Sequence, residues 1–397
     1  MPVDPRDLPE KIAPPLPPGK WRWCLVVLLC SALGGGLVAL LWPADMSRMS
    51  PWFWCCVVVF PLMTGLSLFA MRLSTYERQR DFAQSWNQRH SEQEQVLIGR
   101  GQQKLAVLAT SYCSPAGNNK LAQTLRNGSR PLQPVYLERL AMTLRVSQLT
   151  PQAQRDSVQE YAERLTAYCS QVMRTIEEDL QHLAGTTPVR IRIKHNQVLG
   201  DDNVLSLWQS TAMDTLVIEQ VVHAKHDDGL LWLDAWLDEG EPAQLLLSLE
   251  INLFQKPIAE QAESVSAVLF AHPDYSAKRK LAPTAWVHRP VRIAGGNGLG
   301  DALLWGKLHE EPTQYFVWQT QLPSDFSGDV SVAMSAAGYA LDTDKCQRLD
   351  DSFGLPASAV GNIALVIASE QARADSQPQL VMLQDVSPQC CIVRPAE

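Results

Sequence analysis

A chain of 397 residues with 42 acidic against 34 basic side chains has room for one large domain or two ordinary ones. The first 72 residues carry six basic and four acidic groups, which leaves 28 against 38 beyond them. That excess excludes a nucleic-acid binder, because phosphate neutralisation supplies most of such affinity, and it denies the later part any purely electrostatic hold on an anionic leaflet.

Residues 1–20 are proline-rich (Pro2, Pro5, Pro9, Pro14, Pro15, Pro17, Pro18), so backbone donors are missing and an unstructured cytoplasmic tail is expected. Residues 21–73 read as a transmembrane hairpin with spans at 23–42 and 52–71. Each is an uncharged apolar run of about 20 residues, enough to cross ~30 Å of hydrocarbon as a helix. The runs are too long and too closely paired for a cleaved signal. Arg6, Lys11, Lys20 and Arg22 precede the spans and Arg72, Arg78, Arg80 and Arg89 follow them, while the turn holds Arg48 alone. Both termini are therefore expected in the cytoplasm of a bacterial inner-membrane protein. Gly34, Gly35, Gly36 and Gly65 offer a narrow face for packing one span on the other. Neither span carries a mid-depth ionisable group of the kind a proton or ion path needs.

Residues 74–100, with mixed charges and Phe82 and Trp86 at i, i+4, are expected to form a helical stalk. The region 101–397 reads as mixed α/β (α+β) layers, with an internal boundary near 260–280. Strands are expected at Lys104–Thr110, Val189–Ile193, Leu230–Leu237, Leu245–Ile251, Ser264–Phe270, Thr284–Val291, Tyr315–Thr320, Val330–Met334, Leu380–Leu383 and Cys391–Val393. Gly240 suggests a hairpin between Leu230–Leu237 and Leu245–Ile251. The clearest helix is Gln154–Leu183, with Val158, Tyr161, Leu165, Tyr168, Val172, Ile176 and Leu180 in one stripe and Gly185 at its end. Others are expected at Asp202–Val221, Gly300–Leu308 and Ala357–Ala372. An echo joins Pro188-Val189-Arg190-Ile191, with Asp201 and Trp208 after it, to Pro290-Val291-Arg292-Ile293, with Asp301 and Trp305 after it. It suggests two related halves in which each aspartate caps a helix.

Chemistry-bearing residues are sparse. The loop Ile293–Gly300 is glycine-rich but fits neither dinucleotide nor P-loop spacing, and Asp301 beside it repels phosphate, so a plain turn is favoured. His223, His226, Asp227 and Asp228 have metal-ligand types, yet they read as a solvated turn without a matching group elsewhere. His288-Arg289 reads as a strand exit. Cys113, flanked by Ser111 and Ser114 after the first soluble strand, is the best position for a nucleophile, and no base is marked for it. Cys113, Cys169, Cys346, Cys390 and Cys391 lack CxxC spacing, which suits a reducing compartment. No catalytic residue, cofactor site or metal set is assigned.

The hairpin, the proline tail and the segment Trp286-Val287-His288-Arg289-Pro290 together resemble proteins encoded with bacterial type VI secretion systems, in particular the lipase-adaptor family. That resemblance implies a non-catalytic inner-membrane adaptor, whose cytoplasmic domain binds a protein partner such as a secreted effector. The two-half echo is similar to thiolase-type folds, although the cysteine and histidine motifs of active thiolases are not evident. That likeness implies the alternative, a membrane-tethered enzyme with its site near Cys113 and the 293–300 loop. An immunity protein at the membrane is a third reading.

Overall fold

The computed structural model describes residues 7–396 except 128–129, 185–186, 213–215, 226, 240–242, 294–296, 309–313, 324–325, 327, 329, 331, 333–334 and 336–344. It divides into two compact units, Met1–Arg100 and Gly101–Glu397.

In the first unit, helices Lys20–Leu41 and Pro51–Gly101 are long and apolar enough to cross a bilayer, with mean hydropathy 2.5 and 2.0 over their most apolar stretches. Only Gly35 of the first helix is buried, while Leu25, Leu28, Leu33, Leu37 and Leu40 are exposed, so no protein core covers it. Pro61 supplies no N–H, and the turn before it, Cys55–Val59, is a π-helix closed by the Phe60 N–H on Cys55 O. The helices come closest here. A Cβ on Gly35 would lie 2.6 Å from Val57 O, and one on Gly34 2.7 Å from Pro61 Cβ. Glycine at both positions is what lets the backbones meet. Residues 9–19 form neither helix nor strand, yet they are held on the second helix. The Asn87 side chain accepts from Ile12 N–H and donates to Ile12 O, both at 2.9 Å, and Trp86 Nε1–H donates to Glu10 O.

Among the described residues, the second unit is built on thirteen strands. They are β1 Lys104–Cys113, β2 Pro134–Leu137, β3 Met142–Arg145, β4 Val189–His195, β5 Ile218–His223, β6 Leu245–Asn252 and β7 Ser264–Ala271, followed by β8 Ala285–His288, β9 Val291–Arg292, β10 Phe316–Thr320, β11 Cys346–Arg348, β12 Gln379–Gln384 and β13 Pro388–Pro395. β2 and β3 pair as a separate hairpin, and the others form one sheet in the order β11-β10-β12-β13-β8-β1-β7-β6-β4-β5, with β9 beside β13. Read outward from the β8/β1 junction, the two sides are the same. β1 and β8 pair antiparallel with β7 and β13, which pair antiparallel with β6 and β12. Those in turn run parallel to β4 and β10, and then to β5 and β11. The sheet of the second unit is thus two halves of one strand order, the first ending at Ala271 and the second starting at Ala285.

Both sheet faces are covered, so the strands are apolar on both sides. On β1, Leu105 and Val107 point into a core around the helix Val360–Asp375, while Ala106 and Ala109 point to helices Val158–Ala184 and Asp201–Gln209. Val360–Asp375 is apolar around nearly its whole circumference and is buried over most of its length. The stripe expected on Val158–Ala184 faces the sheet from Tyr161 to Leu180, while Val158 stays 53% exposed. Ser157 Oγ accepts from Glu160 N–H, and the Glu160 carboxylate accepts from Arg155 N–H, which caps this helix.

The structure corrects the sequence reading at several points, and the expected strand Thr284–Val291 is two strands, β8 and β9. Leu231–Leu237 is a helix rather than a strand, because Leu233, Trp236 and Leu237 share one buried face. Asp202–Val221 is not one helix but the helix Asp201–Gln209 followed by the edge strand β5. Asp201 caps nothing: Gly200 is the cap residue and has no side chain to offer. Asp301 lies inside the helix Asn297–Trp305 rather than at its start. The Pro188 echo opens β4, whereas the Pro290 echo opens β9, and the counterpart of β4 is β10, so the echo does not mark the repeat. Gly185 and Gly240 lie outside the described residues, as do most of 330–334, where Val330 and Val332 are helical.

One buried ion pair fixes the helix Val158–Ala184 to the sheet. Arg164 Nη2 lies 2.8 Å from Glu263 Oε2, and Glu263 also accepts from Leu149 N–H and Phe254 N–H. Glu263→Ala strands the guanidinium and two backbone donors, so a loss of about 3–5 kcal/mol is expected. Chemical denaturation of the full chain in detergent measures it, and a loss under about 1 kcal/mol contradicts this account.

Candidate functional site

The expected nucleophile is not available. Cys113 ends β1 fully buried, and burial pushes its thiol up to about 11. Ser111 is buried in the same strand, and Ser114 Oγ donates to Gly117 O within a turn. Burial also pushes Cys169 and Cys391 up to about 12, Cys390 well above its ordinary value, and Cys346 upward. The second unit therefore presents no thiolate near neutral pH, and the thiolate is the form that attacks.

The other sequence candidates scatter. The glycine loop serves close packing: a Cβ on Gly298 would fall 2.1 Å from Arg292 O. Gly295 and Gly296 lie outside the described residues, as does His226. Asp227 pairs with Arg192 at 3.0 Å, and Asp228 accepts from Val386 N–H, Ser387 N–H and Gln389 Nε2–H. Arg289 is buried against Asp234 and Asp238, with two bonds to the latter at 2.7 and 3.1 Å, so it holds no outside anion. His288 is buried and pushed down to about 3, which keeps it neutral.

What the structure does gather lies at the carboxyl ends of the parallel strands, where open α/β sheets place ligands. The starts of helices Leu231–Leu237 and Val360–Asp375, one from each half, converge there. A Cβ on Gly361 would lie 3.0 Å from Glu250 Oε1 and 3.3 Å from Gly229 O. Glu250 is fully buried, accepts from Asn362 N–H at 2.8 Å and pairs with Arg192 at 2.9 Å. The Arg192 guanidinium lies 4.4 Å from the Trp232 ring centre. Lys194 pairs with Asp385, which also accepts from Gly229 N–H at 2.9 Å, so the pair ties the two halves. Sequence reasoning passed over this network, although its signal was visible: Arg192, Lys194 and Glu250 are charges inside otherwise apolar strands.

Asp385 also borders a cleft of about 1110 Å³ beyond β10 and β12, lined by Gln321, Arg348, Asp350, Ser358 and Arg145 among others. Asp350 accepts from Thr320 Oγ1 at 2.8 Å and from Gln321 N–H, yet burial outweighs these bonds and pushes its carboxyl up. A perturbed carboxyl in a cleft, beside Arg348 at 3.9 Å, has the chemistry of a binding or acid–base group. On the other half, His195, Asp201 and His223 meet at the ends of β4 and β5, with donor atoms within 4.8 Å of one another. Of the sequence candidates, only His223 belongs to this group.

No family model matches the chain, and no curated protein matches it. Solved structures do. The ketosynthase from module 1 of the bacillaene synthase of Bacillus amyloliquefaciens FZB42 is 9% identical, with a TM-score of 0.53 over 75% of this chain and 77% of that one. A type II polyketide synthase ketosynthase, in complex with its acyl-carrier protein and bound to the hexaketide, is 10% identical, with 0.51 over 74% and 99%. The peroxisomal 3-ketoacyl-CoA thiolase of Saccharomyces cerevisiae stands at 8% and 0.46, over 74% and 98%. The fold of the second unit is ketosynthase-like. This overturns the resemblance to type VI secretion lipase adaptors, and the adaptor role with it, since that likeness rested on layout and no matching motif.

The buried thiols give a direct check. Iodoacetamide at pH 7.5 is expected to leave Cys113, Cys169, Cys390 and Cys391 unmodified in the folded chain and to alkylate them in urea, as read by peptide mass spectrometry. Rapid native labelling of any of the four contradicts the assignment.

Proposed function

We propose that residues 101–397 are a ketosynthase-like domain, held at the cytoplasmic face of a bilayer by helices Lys20–Leu41 and Pro51–Gly101, that binds an acyl thioester presented by a carrier protein. The observation that carries this reading is the strand-end cleft of about 1110 Å³, with Asp350 and Arg348 in its wall. Its volume suits an extended acyl chain. The carrier-protein partner is supported by the similar type II ketosynthase, whose structure is in complex with its acyl-carrier protein. The membrane is supported by the exposed leucines of the first helix, since that much bare apolar surface needs lipid around it. The positive charges flanking the spans support a cytoplasmic domain.

In this reading the domain binds and polarises its ligand without a covalent bond to cysteine. The Asp350 carboxyl, pushed up by burial, lines the cleft, and Arg348 beside it favours developing negative charge on a ligand carbonyl. The test uses full-length protein in lipid nanodiscs, titrated with an acyl-CoA and with an acyl-loaded carrier protein. Saturable binding is expected for both, weakened about tenfold or more by Arg348→Ala and by Asp350→Ala. No saturable binding of either ligand overturns the proposal. For the anchor, carbonate-resistant membrane association is expected, with a C-terminal tag protected from external protease. An accessible tag reverses the assigned orientation.

A further inference from the structure

We propose that His195, Asp201 and His223 form a binding site for a first-row transition-metal dication of the zinc or iron(II) class. The site is separate from the acyl-binding cleft, whose lining includes none of the three. His195 ends β4 and His223 ends β5, its parallel neighbour, in a register that sets Ile193 opposite His223. Asp201 enters from the first turn of the helix Asp201–Gln209. The fold therefore delivers two imidazoles and a carboxylate from three elements to one point. His195 Nε2 lies 3.0 Å from Asp201 Oδ1, and all three donor atoms fall within 4.8 Å of one another. A tetrahedral ion with bonds near 2.0–2.1 Å needs donors about 3.4 Å apart. An inward shift of His223 of up to about 1.4 Å meets that, and His223 lies on an edge strand, only half-buried.

Two further observations point to a ligand. His223 Nδ1 is shielded from water and has no hydrogen-bond partner among the described residues, an unusual state for a buried ring nitrogen. Gln197 adopts a left-handed backbone conformation (φ 58°), and this brings its side-chain amide within 3.3 Å of His195 Nε2. With that amide turned, its oxygen is a fourth donor. Imidazole with one carboxylate suits zinc and iron rather than magnesium or calcium.

Protons hold the same donors in the structure. Gln197 N–H donates to His195 Nδ1 at 3.2 Å, which leaves the ring proton on Nε2, facing Asp201. Lys225 Nζ lies 2.7 Å from the other Asp201 oxygen and is half-exposed. When a dication binds, the His195 proton moves from Nε2 to Nδ1 and the bond from Gln197 N–H opens. The ring thus exchanges one position for the other without net proton loss, and Lys225 is a competitor that solvent can take up.

The test is titration of the purified full chain, in detergent and free of chelator, with Zn²⁺ by calorimetry and with Co²⁺ by visible absorption. Stoichiometric binding at micromolar or lower concentration is expected. Asp201→Asn and His223→Gln should each weaken it about tenfold or more, and Lys225→Gln should tighten it. Circular dichroism of the metal-free variants shows whether they fold. X-ray absorption of the loaded wild type, which needs no variant, should show imidazole scattering and no sulfur. Absence of stoichiometric binding, sulfur in the shell, or equal affinity in folded Asp201→Asn and His223→Gln overturns the site.

Discussion

Four residue pairs, from Lys104 opposite His288 to Val107 opposite Ala285, join the two halves of the sheet. Every strand edge carries a row of backbone donors and acceptors that must be paired, wetted or hidden. Each half has such an edge at β1 or β8, and placing the two edges antiparallel satisfies both. The joint also makes one core from two. Leu105, Val107, Ala285 and Val287 all reach the cluster around Val360–Asp375, a helix too apolar to survive on any surface. The one cation at the joint, Lys104, keeps its ammonium 4.1 Å above the Trp286 ring.

The same closure explains where the charges go. Toward the carboxyl ends of the parallel strands, buried cations sit with matched acids: Arg192 with Glu250 and Asp227, Lys194 with Asp385. Such pairs add little net stability over apolar replacements, but they punish the loss of one partner and so hold the geometry. The cleft beside them is bordered by Asp385 of this network, by Arg348 at the end of β11 and by Asp350 just past it.

The architecture was partly legible in the residues. Continuous apolar runs such as Leu245–Asn252 and Ser264–Ala271 announced buried strands, and the stripe from Tyr161 to Leu180 announced its helix. Leu231–Leu237 was misread because seven residues rich in leucine and tryptophan fit either period, and only the surrounding core decides. The two-half plan was expected for the wrong reason. Short echoes of Pro-Val-Arg-Ile drew the eye to β4 and β9, while the true repeat is one of strand order with no shared letters behind it. Half of the histidine site was visible in His223. His195 was hidden, because a histidine at the end of an apolar strand carries no local mark of what stands next to it in space.

The sheet order also governs how the chain comes into being. β1 is among the first strands of the second unit to be synthesised, yet its partners are β7 and β8, more than 150 residues later. At translation rates of roughly 5–20 residues per second, that is a wait of about 10–30 s with both edges of an apolar strand unpaired. A topology dominated by such distant pairings folds slowly. During that interval the nascent polypeptide is most exposed to mispairing, and protection by a chaperone matters most between emergence of Lys104 and emergence of His288.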